Sequence, residues 1–261
     1  MLKRRLIPVL NIMNGLIVRS ENFLIHQNIG NIINQASRYN DWEVDELIYL
    51  DISRDSNYSL RREDHKVSGY SDIGEVIRRI SKVCFMPLTF GGGIRTLEDA
   101  SFRIRNGADK VVVNTGAHDR PSLVTEIANK FGSQAAIVSI DYRMVEGTPT
   151  VFTEFGLTKS KLDIVEWAKR CEAVGAGEIF LRRIDYDGQA AGYDIDNINS
   201  VVKSINIPVI ACGGACDSFD FITLANETDV SGIAAGNMFH FTERSYPRAK
   251  MDLKRENINV R

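Results

Sequence analysis

Residues 87–115 read PLTFGGGIRTLEDASFRIRNGADKVVVNT. A short apolar run ends at Phe90, and Gly91, Gly92 and Gly93 follow it. Thr96-Leu97-Glu98-Asp99 reads as a helix start, and the helix is expected to reach Asn106-Gly107. Val111-Val112-Val113 is a second apolar run, ending in Asn114-Thr115. Strand, glycine turn, helix, strand is one βαβ unit. Glycines between a strand end and a helix start let backbone N–H groups approach an anion closely. They also serve a plain tight turn, and this stretch alone leaves both readings open.

Outward from this unit the same alternation continues. Apolar strands are expected near residues 6–10, 46–50, 87–90, 111–113, 135–140, 178–181, 208–211 and 232–235. Helices are expected near 29–40, 73–82, 121–130, 162–174, 194–204, 217–226 and from 243 onward. Residues 18–23 open a long polar connection, 143–154 with Glu146-Gly147 suggest a hairpin, and the charge-rich 53–71 reads as a mobile surface loop. Continuous apolar strands suit a parallel sheet buried on both faces, in an open doubly wound sheet or a closed barrel. An internal repeat favours the barrel. Phe90-Gly91-Gly92-Gly93 corresponds to Ala211-Cys212-Gly213-Gly214, Asn114 to Asn237, and Asn11 after the first strand to Asp141 after the fifth. The expectation is α/β: a single (β/α)8 TIM barrel over 1–261, with half-barrels of about 1–131 and 132–261.

The 261 residues are 44% hydrophobic and 25% charged, ordinary for a soluble globular protein, and a formal net charge of -2 argues against a general nucleic-acid binder. Met1-Leu2-Lys3-Arg4-Arg5 leads straight into the first apolar run, and no apolar stretch is long enough to span a bilayer. A cytoplasmic protein without a membrane partner is expected. Cys84, Cys171, Cys212 and Cys216 read as buried free thiols. Neither they nor His26, His65, His118 and His240 have a metal-ligand spacing, so no metal or cofactor is expected. In a barrel the polar residues that end the strands share the C-terminal face, where chemistry occurs. Two glycine turns on opposite sides would suit a substrate with a phosphate at each end, and Asn11 facing Asp141 marks a place for acid–base chemistry.

The segments RLIPVLNI, LIYLDIS, FGGGI, GADKVVVNT, FGSQAAIVSID, GAGEIFL, IDYDGQAAGYD, CGGA and FHF run in this order over nearly the whole chain. Together they resemble the HisF-type cyclase subunit of imidazole glycerol phosphate synthase. The resemblance implies a (β/α)8 barrel that works with a HisH-type glutaminase subunit. Ammonia would pass through the barrel from its N-terminal face to an active site at its C-terminal face. The family's ammonia entrance matches Arg5, Glu46, Lys110 and Glu178, and Asp109 matches the glutaminase contact. Salt-bridged charges closing the foot of a barrel are the structural alternative. The phosphate sites match Gly93, Asn114 and Thr115 on one side and Gly213, Gly214 and Gly236 on the other. Cys212 and Asn237 stand where the family usually has serine. Asp51, Asp187 and Gly188 fall around the ligand.

The catalytic pair departs from the family. Asp141 is present, but Asn11 occupies the position of the first aspartate, and an amide cannot exchange a proton at neutral pH. Arg19 replaces a lysine, the 53–71 connection is longer than usual, and Arg182 and Arg183 replace small hydroxyl residues. This pattern resembles HisF-like paralogs of bacterial surface-polysaccharide (lipopolysaccharide and O-antigen) biosynthesis. Those act with a glutaminase and an N-sugar amidotransferase to turn an acetamido group on a nucleotide-linked sugar into an acetamidino group. The expected substrate is a phosphorylated small molecule or nucleotide-sugar. The alternatives are an ordinary cyclase subunit of histidine biosynthesis and a non-catalytic scaffold that binds a phosphate ligand.

Overall fold

The computed structural model describes residues 3–54, 70, 72–241 and 243–261. Most of the 53–71 loop expectation therefore lies outside the described residues. In chain order the elements begin with β1 (Arg5–Met13), β2 (Leu16–Glu21), β3 (Ile25–Gly30), α1 (Ile32–Asp41), β4 (Leu47–Asp51) and α2 (Ile73–Ser81). There follow β5 (Leu88–Gly91), α3 (Leu97–Arg105), β6 (Lys110–Val113), α4 (Thr115–Asp119), α5 (Ser122–Phe131), β7 (Ala136–Val145), β8 (Thr148–Thr153) and β9 (Thr158–Asp163). The rest are α6 (Ile164–Ala173), β10 (Glu178–Arg183), α7 (Ile195–Val202), β11 (Val209–Cys212), α8 (Ser218–Glu227), β12 (Gly232–Ala235), α9 (Met238–Phe241) and α10 (Ser245–Arg255).

Eight of the strands pair in parallel in the order β10-β11-β12-β1-β4-β5-β6-β7. Pairing of β7 with β10, from Ile137 opposite Glu178 to Tyr142 opposite Arg183, closes the ring. This is a closed (β/α)8 barrel, as expected. Closure leaves none of these eight strands as an open edge. β1 and β7 lie four places apart in the order, on opposite sides of the barrel.

Side chains alternate along each strand, and that alternation divides the apolar core. Ile7, Ile48, Val112, Ile137, Phe180 and Ile210 belong to one cluster, which fills the barrel's interior. Their neighbours in sequence, such as Leu6, Tyr49, Val111 and Leu181, belong to the larger cluster between sheet and helices. Because the period is two, the residue at the foot of an inward column and the residue at its top share that interior. Glu178, Phe180 and Arg182 form one such column on β10.

Both glycine turns end in the same helix-starting device. Thr96 and Asp99 cap α3 reciprocally, and Asp217 and Asp220 do the same for α8. Each pair satisfies backbone N–H groups that the first helical turn leaves unbonded.

Three expectations are corrected. The polar connection after residue 18 is an antiparallel hairpin, with Ser20 opposite His26 and Glu21 opposite Ile25. Its second strand is half-exposed and polar, so it lacks the apolar run used to find strands. The 143–154 hairpin is present, but a further strand, β9, pairs with β8 and is likewise polar. Cys216 is exposed, whereas the other three cysteines are buried as free thiols. Among the described residues, no helix is long and apolar enough to cross a membrane.

Candidate functional site

At the N-terminal end of the barrel, the first inward residues of β1, β6 and β10 meet Glu46, which precedes β4. Arg5 Nη1 lies 2.6 Å from Glu46 and its Nη2 bonds to Glu178. Lys110 Nζ lies 2.9 Å from Glu46 and 3.5 Å from Glu178. Each cation thus touches both carboxylates, and the four side chains form one closed ring of alternating charge. Burial opposes charge on Arg5, but Glu178 and then Glu46 hold its guanidinium above its ordinary value. Burial likewise opposes charge on Glu46, and Arg5 and Lys110 outweigh it, holding the carboxyl below its usual range. Thr89, buried on β5, donates to Glu46 at 2.9 Å. Sequence reasoning missed Thr89, although its inward parity on a strand beside β4 was a usable signal. Asp109 lies at the same end, exposed, and accepts the Leu88 N–H at 2.7 Å.

At the C-terminal end a cavity of about 300 Å³ opens among the strand ends. Its lining includes Asp51, Gly92, Gly93, Asn114, Thr115 and Asp141, bringing together five of the expected site residues with a sixth, Gly92, from the quoted turn. Asp51 accepts from the Ser53 hydroxyl at 2.6 Å. Asn114 donates to the Ser139 carbonyl at 3.3 Å, and Thr115 Oγ1 accepts the Glu154 N–H at 3.0 Å. Asp141 accepts from Ser139 Oγ at 2.8 Å. Burial raises its carboxyl above the usual range, with Arg182 and Ser139 pulling in the opposite direction. Ser139 shares the inward parity of Asp141 on β7, the signal by which it was findable.

The turn that frames this cavity requires glycine. Gly92 has φ +100, and a Cβ there would lie 2.0 Å from the Asp51 carbonyl oxygen. Arg103, buried on α3, donates to the Gly92 carbonyl at 2.6 Å and so ties the helix to the turn. No sequence motif pointed to Arg103. Gly92→Ala is expected to cost at least about 2 kcal/mol, since left-handed strain and a backbone clash add. Gly93→Ala, whose Cβ would meet only Arg103 Nη2 at 3.3 Å, should cost about 1–2 kcal/mol through its φ of +62. Urea midpoints of the two variants measure the difference, and equal midpoints would contradict the clash.

The other expected phosphate residues are not in this cavity's lining. Gly213 and Gly214 pass under the chain that follows β10: a Cβ on Gly214 would lie 1.9 Å from the Gly192 carbonyl oxygen. Asn237 is bound to the hairpin, donating to the Ser20 carbonyl at 2.7 Å. Gly188 lies beside the same contact, 2.6 Å from the Ser20 carbonyl oxygen if given a Cβ, and Gly236 follows β12. Arg19 is on β2, opposite Gln27. Asp187 is joined to Arg182 at 3.3 Å. Arg183 bonds Asp194 at 2.8 Å and stacks its guanidinium 3.4 Å over the Tyr186 ring.

Asn11 is 7% exposed, and its Oδ1 is buried without a hydrogen-bond partner. It lies across the barrel from Asp141 by topology, yet only Asp141 reaches the cavity. Phe23, from the β2–β3 turn, and Arg182 line the cavity instead.

The comparisons with known proteins agree with this architecture. The family model described as a histidine biosynthesis protein matches residues 5–245. A protein of Hydrogenobaculum sp. (strain Y04AAS1), named imidazole glycerol phosphate synthase subunit HisF, is 40% identical with full coverage of both chains. Proteins of the same name from Alkaliphilus metalliredigens and Sulfurisphaera tokodaii are 38% and 39% identical, again over the whole of both chains. With its closed barrel, its foot ring and its C-terminal cavity, this chain belongs to the histidine-biosynthesis barrel family of the HisF subunits of imidazole glycerol phosphate synthase.

Proposed function

We propose that this chain takes ammonia from a HisH-type glutaminase at the foot of the barrel and delivers it to a phosphorylated substrate at the C-terminal cavity. The observation that carries this reading is the closed ring of Arg5, Glu46, Lys110 and Glu178. It lies at one end of an apolar interior whose other end holds Asp141. An apolar interior favours neutral ammonia over the ammonium ion, because a charge there is costly to desolvate. The alternating ring is neutral as a whole and can part at one ion pair while the others persist.

At the cavity, backbone N–H groups of the Gly92–Gly93 turn, with Asn114 and Thr115, would hold a phosphate, and Asp141 would exchange a proton with the substrate. Its raised pKa brings it closer to neutral pH, which suits that task. Asn11 supplies no second proton donor. The acceptor that fits is therefore one whose amination does not need a carboxyl pair, as in acetamidino-sugar formation with an N-sugar amidotransferase. The exposed Leu24, Ile25 and Leu157 at the hairpins over this face offer an apolar surface for such a third protein. The second reading, an imidazole glycerol phosphate synthase cyclase, is favoured by the names of the full-length relatives and by the retained Asp141.

One assay separates the two. Ammonium chloride and the phosphorylated intermediate of the imidazole-forming reaction are supplied to the chain, and the imidazole product is followed by mass spectrometry. The expected result is background turnover for this chain and a gain of about 100-fold or more in Asn11→Asp, the range of general acid–base catalysis. Rapid turnover by the unaltered chain, little changed by Asn11→Asp, would establish the cyclase reading instead.

A further inference from the structure

Ser139 stands one inward step below Asp141 on β7, with Ile137 a step further toward the foot. Alternate residues of a strand point the same way, so the serine meets the carboxylate from the interior side. Both residues are buried, and both line the C-terminal cavity. The Ser139 hydroxyl donates to Asp141 Oδ1 at 2.8 Å. Oδ2 accepts from no described residue, and it is not among the buried atoms sealed without a partner. It is the carboxylate oxygen left open. The backbone that carries the serine is held on both sides. β7 pairs with β6 and with β10, where Phe180 lies opposite Ser139, and Asn114 donates to the Ser139 carbonyl at 3.3 Å.

A hydroxyl has one proton to give. Spent on Oδ1, it leaves Oδ2 as the oxygen on which a proton is gained or lost. It also restrains the last torsion of the aspartate, which is broad and two-fold when nothing holds it. Resting on the reading of Asp141 as the proton-exchanging group, we propose that Ser139 is its positioning residue: by occupying Oδ1 it presents Oδ2 alone to the ligand. A hydrogen bond to the charged form favours that form. Ser139 therefore opposes the effect of burial on the carboxyl. Arg182 on β10 and Arg143 on β7 act in the same direction as the serine, and Asp187 acts against them. The Cys212 thiol on β11 is pushed up to about 12 by burial and is neutral there.

Ser139→Ala removes the hydroxyl and leaves these charges in place. The whole chain is labelled with 13C at its aspartate carboxyls and titrated by NMR, the Asp141 signal being the one lost in Asp141→Asn. Its midpoint is expected about one unit higher in Ser139→Ala, a tenfold gain in proton affinity from the loss of one hydrogen bond to a charged acceptor. Ser139→Thr keeps a hydroxyl on the same carbon and should restore the parent midpoint. Turnover reads the positioning itself. In the Asn11→Asp background, Ser139→Ala should lower kcat of ammonium-fed imidazole formation about tenfold or more and change KM for the phosphorylated intermediate less than about twofold. The apparent pKa of turnover should move up with the NMR midpoint.

An Asp141 midpoint unmoved by Ser139→Ala, or moved as far in Ser139→Thr, overturns the proposal, and so does a loss confined to KM. With turnover present in Asn11→Asp, these failures leave the proton-exchange reading of Asp141 standing. No ammonium-fed turnover in Asn11→Asp defeats that reading, and this proposal with it, whatever the midpoint does.

Discussion

In an Asn11→Asp background, Asp141→Asn is expected to lower ammonia-fed imidazole formation by about 100- to 10,000-fold. In either background it should also make the fold more stable at neutral pH. The first effect follows from placement. Asp141 is the carboxylate that lines the cavity from the strand opposite β1, and Ser139 holds it at 2.8 Å. Asparagine keeps the shape and removes the exchangeable proton.

The second effect follows from the sign of the pKa shift. Burial raises the Asp141 carboxyl in the folded chain, so the folded state binds its proton more readily than the unfolded state. Stability therefore falls as pH rises from the ordinary carboxylate value through the raised one, and the penalty is full above it. Asparagine carries no such penalty. The stability gain of Asp141→Asn should be largest near neutral pH and fade as the solution is acidified. Urea melts at several pH values read it directly, and a variant less stable than the parent at neutral pH would refute it. Gain of stability with loss of turnover is the pattern of a group held in place for chemistry rather than for folding.

The foot ring should show the opposite balance. Glu46 is 1% exposed and accepts from Arg5, Lys110 and Thr89. Glu46→Ala leaves two cations crowded near a low-dielectric interior with one carboxylate between them, and is expected to cost about 3–5 kcal/mol. Its folded pKa is lowered, so its contribution is complete above the ordinary glutamate value and is lost as pH falls through the lowered one. Lys110→Ala is milder for the fold, because the lysine is partly exposed and Arg5 still joins both carboxylates. Its effect falls on coupling. With a glutaminase present and Asn11→Asp supplying the assay, glutamine-fed turnover should drop while ammonium-fed turnover is retained. A glutamine-to-ammonium ratio unchanged by Lys110→Ala would remove the ammonia conduit from the proposal.

How much of this was legible depended on the kind of signal. The eight barrel strands are largely apolar runs between helices, as burial on both faces favours. The hairpin strands β3 and β9 escaped because each is polar and exposed on one face, so no apolar run announces them. The foot ring was readable through the family resemblance, which matches Arg5, Glu46, Lys110 and Glu178 to the ammonia entrance. Ser139 and Thr89 have inward parity on their strands and were findable by it. Arg103 was not, since it reaches the Gly92 carbonyl from a helix packed outside the sheet.

The correspondence of the two glycine turns suggested a phosphate at each end of the substrate. In the structure the turn after β5 lines the cavity, and that after β11 packs against the chain around Gly192. The amino-acid sequence, with the family resemblance it carries, determined the barrel and the set of polar residues at each end, because the succession of strands and helices and the side-chain parity along each strand are local properties of the chain. Only the tertiary structure decided which of those residues share a space. Asn11 and Asp141 end equivalent strands, yet Phe23 and Arg182 line the cavity with Asp141 and leave Asn11 outside that lining. That outcome depends on volumes and charges arriving from β2, β10 and the loops between them, which no spacing in one strand records.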